Sequence, residues 1–231
     1  MSGPGGFTHL GGSGGAGPTN SGTVTLAGIN NYDGPTIVRR GTLRVLKASS
    51  LYHADPAGWI PARITVHPSA TLALNVGGPD EFTGAQVGTL LRNLTSSVMD
   101  NGLMERAVLC LDTANAKNPV VIPNDIADSK GSGGGAFLLR KCGAGTLQLA
   151  DSNTFTGPTT VSAGTLALAT AHSLGGDTEV TISNGATLAL NFNGEMRVSK
   201  LTIDGKPQPA GTYSAATSPD FIKGTGFLKT H

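Results

Sequence analysis

The chain alternates short segments in which every second residue is aliphatic with turns rich in Gly, Pro and Asn. The segments TVTL, TLRV, TLAL, TLQL, TLAL and TLAL begin at residues 23, 42, 71, 146, 165 and 187. A period of two places the aliphatic side chains on one face of a strand and the Thr, Gln or Arg side chains on the other. The pattern therefore predicts short β-strands that bury one face.

One stretch of the sequence occurs twice, at residues 22–51 and 145–174, and about half of the aligned positions are identical. Each copy is followed by the same hexapeptide, ATLALN, at residues 70–75 and 186–191. Short strands joined by turns suit coils that stack on one another, because one coil cannot bury its own aliphatic face. We therefore predict an all-β chain built as a β-solenoid.

The two copies also resemble a known family. The segments GTVTLAGINNYDGPTIVRRGTLRV and GTLQLADSNTFTGPTTVSAGTLAL are similar to the autotransporter-associated β-strand repeat, whose pattern is roughly GTLTLSGxNTYTGGTTVxxGTLxL. Pro35 and Pro158 stand where the family usually has Gly. The resemblance implies a right-handed parallel β-helix from the exported passenger of a bacterial surface protein, located outside the cell or on its surface. It implies no catalytic residue.

We expect a single β-helix domain over residues 1–231. Its parts are a frayed first coil (1–21), the first repeat (22–75), an irregular insertion (76–135), the second repeat (136–191) and a small C-terminal β cap (192–231). Within the insertion, apolar residues recur at helical spacing at positions 87, 90, 91 and 94, and Pro79 suits a first helical position. These features predict one short helix over residues 79–94.

Composition limits the classes of partner. Charged residues make up 13% of the chain and the formal net charge is +1, against a charged share of about 25% in typical soluble domains. No basic stripe is present, so we do not expect nucleic acid as a partner. No apolar run of about 18 residues and no signal peptide opens or crosses the chain, so we expect no membrane insertion by this segment. A cell-surface glycan or other repeats of the parent protein remain as possible partners.

Three residues are candidates for catalysis if the chain is an enzyme. Cys142 follows two cations, Arg140 and Lys141, which would lower a thiol pKa if they reached it, although alternation sends Lys141 to the opposite face. His53 lies in a loop, residues 52–63, that has no counterpart in the second copy, and stacking of the copies could bring His172 towards it. A Cys and His site of this kind fits a hydrolase of the esterase or phosphoesterase type, or a glycan lyase.

The other cysteine, Cys110, could pair with Cys142 in an exported protein, whereas a cytosolic protein would keep both thiols reduced. The sequence leaves these alternatives open. The histidines show no H-x-H or H-x-x-x-H spacing, so we expect no metal and no cofactor.

We therefore favour a stalk or adhesive passenger segment without chemistry of its own, with the hydrolase or lyase as an alternative. A further alternative is a carbohydrate-binding surface on which Tyr32, Tyr52 and Trp59 stack against sugar rings. The small aromatic share of 5% weakens this alternative.

Overall fold

The computed structural model describes residues 1–11, 22–97, 99, 102–123 and 125–231. The protein is mostly β, with one α-helix. The first eleven strands are β1 (Ser2–Gly3), β2 (Phe7–His9), β3 (Thr23–Leu26), β4 (Asn31–Tyr32), β5 (Thr36–Val38), β6 (Thr42–Val45), β7 (Ile64–Val66), β8 (Thr71–Asn75), β9 (Val108–Asp112), β10 (Val120–Ile122) and β11 (Leu138–Cys142). The others are β12 (Thr146–Leu149), β13 (Thr159–Val161), β14 (Thr165–Leu168), β15 (Glu179–Ile182), β16 (Thr187–Leu190), β17 (Glu195–Val198), β18 (Lys200–Ile203), β19 (Lys206–Pro207), β20 (Gly211–Ser214), β21 (Ile222–Gly224) and β22 (Phe227–Thr230).

The described strands form five sheets in which almost every pairing is parallel. The longest sheet has the order β19-β18-β15-β13-β11-β9-β8-β6-β3, and a second has the order β10-β12-β14-β16-β21. Three smaller sheets have the orders β2-β5-β7, β17-β22-β20 and β1-β4. Antiparallel pairs occur only near the C-terminus of the described chain, between β18 and β19 and between β20 and β22. The prediction of an all-β fold with one helix is confirmed as a mostly β chain of parallel sheets with a single α-helix among the described residues.

Aliphatic residues of successive repeat strands stack in register. Leu147, Leu166 and Leu188 are aligned on β12, β14 and β16, and none of the three side chains is exposed. Burying a leucine side chain contributes about 1.5–3 kcal/mol, so a column of this kind supplies stability that one strand could not. The alternation in the sequence is the direct cause of this column.

Equivalent strands of the two copies lie in different sheets. In the first copy the Gly-Thr strands β3 and β6, with β8 after them, belong to the nine-stranded sheet, whereas their counterparts β12, β14 and β16 belong to the five-stranded one. The nine-stranded sheet instead continues from β9 into β11 and β13. After the insertion, the Gly-Thr strands of the second copy therefore no longer belong to the nine-stranded sheet.

The helix of the insertion, α1, spans Gly84–Ser96, so the predicted start at Pro79 is wrong. Thr83 is the N-cap, and it exchanges hydrogen bonds with Gln86 in a capping box. The four positions that predicted the helix, 87, 90, 91 and 94, are all buried. The helix packs against β10 at the edge of the five-stranded sheet.

The expected first coil lies partly outside the described residues, because positions 12–21 are not among them. Its described strands, β1 and β2, pair in parallel with β4 and β5. A short helical turn at Ala48–Ser50 lies near the end of the repeated stretch, and two more, at Tyr52–Ala54 and Pro56–Gly58, lie in the loop that is unique to the first copy.

Candidate functional site

The three candidate catalytic residues do not form a site in the described structure. Cys142 ends β11, His53 is exposed in the second helical turn, and His172 is exposed after β14. Among the described side chains, no hydrogen bond or ion pair joins any two of them. The hypothesis of a Cys and His catalytic site gains no geometric support.

The structure pairs Cys142 with Cys110 in a disulfide, with the two Cα atoms 6.3 Å apart. The two residues lie on adjacent parallel strands, β11 and β9, on the face opposite the apolar core. A disulfide sulfur is not a free thiolate, so Cys142 is not available as a nucleophile in this state. Of the two alternatives that the sequence left open, the structure has the paired one, and Cys142 stays a candidate nucleophile only in the reduced chain.

The three aromatic side chains expected to stack on sugars are buried. Tyr32 is 3% exposed, Tyr52 4% and Trp59 0%. Trp59 packs against Phe82, with ring centroids 5.6 Å apart, and its indole Nε1 donates to Leu51 O at 3.1 Å. The alternative in which these rings stack on sugars requires exposed ring faces, and the burial of all three side chains contradicts it.

The two tyrosines instead form a buried hydroxyl network with Thr36. The Tyr32 hydroxyl lies 2.6 Å from Thr36 Oγ1, which is 2.9 Å from the Tyr52 hydroxyl. Burial raises the pKa of Tyr32 to about 12 and also raises the pKa of Tyr52, although the hydrogen bonds to Thr36 partly oppose both shifts. Both phenols therefore stay protonated, and the network joins Tyr32 to Tyr52 through Thr36.

A lysine is fully buried in the second copy. Lys141 has no exposed surface, and its Nζ donates to Cys142 O at 2.9 Å, Gly143 O at 2.7 Å and Ala163 O at 3.0 Å. Desolvation lowers its pKa to about 8, while the Asp112 carboxylate acts in the opposite direction. The prediction that Lys141 points away from the face of Cys142 is confirmed.

The coil that precedes the first repeat carries a buried polar side chain at the equivalent position. His9 aligns with Val38 as Lys141 aligns with Val161, and His9 is only 6% exposed. Its Nε2 lies 2.9 Å from Gly22 O. At both positions a buried side-chain nitrogen therefore donates to carbonyl oxygens of the turn before a Gly-Thr strand, which points to a structural role for these groups.

A pocket of about 450 Å³ lies beside the free edge of β17. The pocket is lined by residues of the loop at 171–177, which includes His172, by Glu195, Met196 and Arg197 of β17, and by His231. Glu195 pairs with Arg197 at 2.9 Å. Sequence reasoning missed this site apart from His172, although the alternation in Glu-Met-Arg-Val was a signal for a strand there.

The described part of the chain contains no group of three or more His, Cys, Asp or Glu side chains arranged to hold a metal ion. No helix within those residues is long and apolar enough to cross a bilayer.

The described fold defines the class as a mostly β protein of parallel sheets with one inserted helix. Two of its segments, residues 19–45 and 139–168, match the family model described as the passenger-associated-transport-repeat. The match agrees with the resemblance to an autotransporter passenger repeat, and the family is one of exported passengers. The comparison with curated proteins and the comparison with solved structures each gave no match.

Proposed function

We propose that this chain is a right-handed β-helical stalk or passenger segment of a large exported bacterial surface protein, with a structural or adhesive role. The observation that carries the proposal is the coincidence of the repeat match with the strand ladders. The matched segment 139–168 contains β12 and β14, which pair in register. The matched segment 19–45 contains β3 and β6, which pair in the same way.

The order in which the chain visits the sheets supports the coiled architecture. From β12 to β16 successive strands alternate between the five-stranded and the nine-stranded sheet. Each return adds a parallel strand next to the one left a turn earlier, as in β13 and β15 or β14 and β16. Stacked coils of this kind make an extended rod, which suits a stalk. The domain boundaries expected from the sequence belong to this proposal.

The disulfide between Cys110 and Cys142 supports export. Disulfides persist in the periplasm and outside the cell, whereas cytosolic thiols are kept reduced. The low charged share, 13%, is compatible with a surface of Thr, Ser, Asn and Gly that presents repetitive polar groups.

Surface labelling of cells that produce the parent protein tests the proposal. An epitope inserted in the exposed turn at Asn184 and Gly185 should be labelled by antibody on intact cells. A cytosolic marker protein in the same cells should be labelled only after permeabilisation. If the epitope also requires permeabilisation, export to the surface is wrong.

A deletion separates the two roles. Loss of cell adhesion on deleting residues 22–191 would favour the adhesive role, and unchanged adhesion would favour a stalk.

A further inference from the structure

Four basic side chains from three separate segments meet at one corner of the fold. Arg39 and Arg40 follow β5, His67 follows β7, and Arg106 lies two positions before β9. The three arginines are exposed and His67 is half-buried. We call these four residues the cationic corner.

Main-chain hydrogen bonds stack the three turns on one another, with the turn of His67 in the middle. His67 N donates at 2.9 Å to Val38 O, one residue before Arg39. On the other side, Ser69 N donates to Arg106 O at 2.9 Å. Neighbouring parallel strands are about 4.8 Å apart, so the first and third turns are two spacings, or roughly 10 Å, apart. The arginines of the cationic corner therefore follow one another along the stacking direction.

The charges of this corner have no counter-ion within the described structure. None of the ion pairs among the described residues includes Arg39, Arg40 or Arg106. The one acidic residue in the three turns, Glu105, turns away from them, because its Cγ lies 3.2 Å from where a Cβ of Gly135 would stand, in the coil beyond Arg106. Three guanidinium groups are thus left for a partner outside the chain.

Partial burial and the neighbouring Arg39 charge lower the pKa of His67. At neutral pH its imidazole is therefore an uncharged hydrogen-bonding group between the guanidinium groups. The cationic corner combines charged donors with a neutral one.

The repeat itself does not require these charges. Ser162 and Ala163 stand in the second copy where the first has Arg39 and Arg40. Both turns nevertheless make the same main-chain contact with the preceding coil. These bonds are 2.9 Å long and run from Arg39 N to His9 O and from Ser162 N to Lys141 O. The fold is therefore built equally well without the arginines, which favours a role in binding.

We propose that the cationic corner binds an acidic polysaccharide, whose carboxylate or sulfate groups pair with the guanidinium groups of Arg39, Arg40 and Arg106. Guanidinium groups form bidentate, charge-assisted hydrogen bonds with oxyanions of this kind. The exposed Ser69 in the middle turn adds a hydroxyl for the sugar hydroxyls. This inference rests on the adhesive role proposed above and gives that role a ligand class.

The arrangement favours a polysaccharide over a nucleic acid. A polysaccharide with an anionic group on every second sugar presents its charges at an interval comparable with the two strand spacings. Duplex DNA carries one charge per about 1.7 Å, which three guanidinium groups would neutralise only in small part. Single-stranded nucleic acids bind through aromatic stacking platforms, and no aromatic side chain in the described part of the chain is exposed.

Calorimetric titration of the purified chain with chondroitin sulfate tests the proposal, because its repeating disaccharide carries a carboxylate and a sulfate. We expect saturable binding with a Kd below about 1 mM at low salt. Binding should weaken about fivefold or more when NaCl is raised from about 50 to about 200 mM, since exposed charge pairs are screened. Neutral dextran should not bind. Absence of saturable binding by chondroitin sulfate overturns the proposal.

The second copy supplies a substitution that removes two charges and keeps the fold. The double variant Arg39→Ser, Arg40→Ala takes the residues of the second copy and should unfold at the same urea concentration as the unmodified chain. We expect its binding to be weaker by about tenfold. The control Lys117→Ser, Lys206→Ala removes the same charge from two exposed lysines elsewhere and should bind within about twofold of the unmodified chain. Equal affinities of the two double variants overturn the proposal.

A single substitution tests the other end of the corner. Arg106 has a φ of +62°, a conformation that Asn adopts more readily than most residues, so Arg106→Asn should fold. We expect about threefold weaker binding for this variant. Unchanged affinity would show that the ligand does not span the corner, and the proposal would be wrong.

An oligonucleotide arm and the cell labelling described above separate the remaining outcomes. A single-stranded oligonucleotide of the same total charge should bind more weakly than chondroitin sulfate, and tighter binding overturns the choice of a polysaccharide. Titration of the purified chain does not depend on export. A chain that is labelled on intact cells but binds no chondroitin sulfate refutes this inference and leaves the surface location in place. Binding by a chain that is not labelled on intact cells supports the ligand and refutes the surface location.

Discussion

The hydroxyl groups of Tyr32 and Thr36 lie 2.6 Å apart in the first copy, and the second copy lacks this contact. Phe155 occupies the position of Tyr32 and Thr159 that of Thr36. Thr159 Oγ1 is buried and has no hydrogen-bond partner among the described residues. The two copies therefore share a backbone pattern but differ in whether this threonine is satisfied.

This difference predicts opposite responses to the same substitution. Thr159→Val removes an unsatisfied buried hydroxyl and should raise the free energy of unfolding by about 1 kcal/mol. Thr36→Val leaves the Tyr32 hydroxyl without its partner and should lower it by about 1–3 kcal/mol. Urea denaturation of both variants measures these changes. A larger loss for Thr159→Val than for Thr36→Val would contradict the assignment of the network.

The single tryptophan should report on the core and not on a sugar site. Trp59 is fully buried against Phe82, so its fluorescence should be blue-shifted and protected from acrylamide until the chain unfolds. Trp59→Ala should lower the free energy of unfolding by about 3–5 kcal/mol. The matched control is Phe227→Ala at a half-buried ring, which should cost less. Ready quenching of the native chain would show that the ring is exposed.

The disulfide should contribute substantially to stability. The bond between Cys110 and Cys142 closes a loop with a sequence separation of 32, for which the loss of chain entropy in the unfolded state corresponds to about 3–4 kcal/mol. The double variant Cys110→Ala, Cys142→Ala should be less stable by about this amount, as measured by denaturation without reductant. The unreduced chain should also titrate no free thiol when denatured. Two free thiols in the purified oxidised protein would refute the pairing.

Lys141 should make the stability of the chain depend on alkaline pH. Its pKa is lowered from 10.5 in the unfolded chain to about 8 in the fold, so between these values the unfolded state binds more protons. Stability therefore rises with pH above about 8. Tyr32, with a pKa raised to about 12, acts in the opposite direction above its ordinary value of 10.

The clearest window is pH 7.5–9.5, below the titration of the tyrosines. There the free energy of unfolding should increase by about 1–2 kcal/mol owing to Lys141. Lys141→Met should remove this increase, and the exposed control Lys206→Met should retain it. Denaturation at a series of pH values measures both. Parallel curves for the Lys141→Met variant and the unmodified chain would show that the lysine is not desolvated as described.

Local pattern predicted much of the secondary structure. The alternation of aliphatic residues located β12, β14 and β16, and the helical spacing of positions 87, 90, 91 and 94 located the buried face of α1. These features depend on residues close in sequence, so they can be recognised without the fold. The prediction placed the start of the helix at Pro79, whereas the capping box of Thr83 and Gln86 sets it.

The candidate site was predicted far less well. The alternative of a carbohydrate-binding surface needed an exposed Trp59, yet the ring is fully buried and packs against Phe82. The pocket beside β17 is lined by residues of the 171–177 loop and of β17 itself. These two segments are separate in sequence, so a local sequence pattern does not reveal the pocket.

The sequence by itself determined the repeat, the β class and the side of each strand that is buried, because a period of two is a local property. Only the tertiary structure decided which strands are neighbours. Parallel pairing joins residues that are distant in sequence, so the insertion at 76–135 could move the second copy into another sheet without altering its pattern. The same long-range pairing brought Cys110 beside Cys142 and enclosed Lys141 among backbone carbonyls.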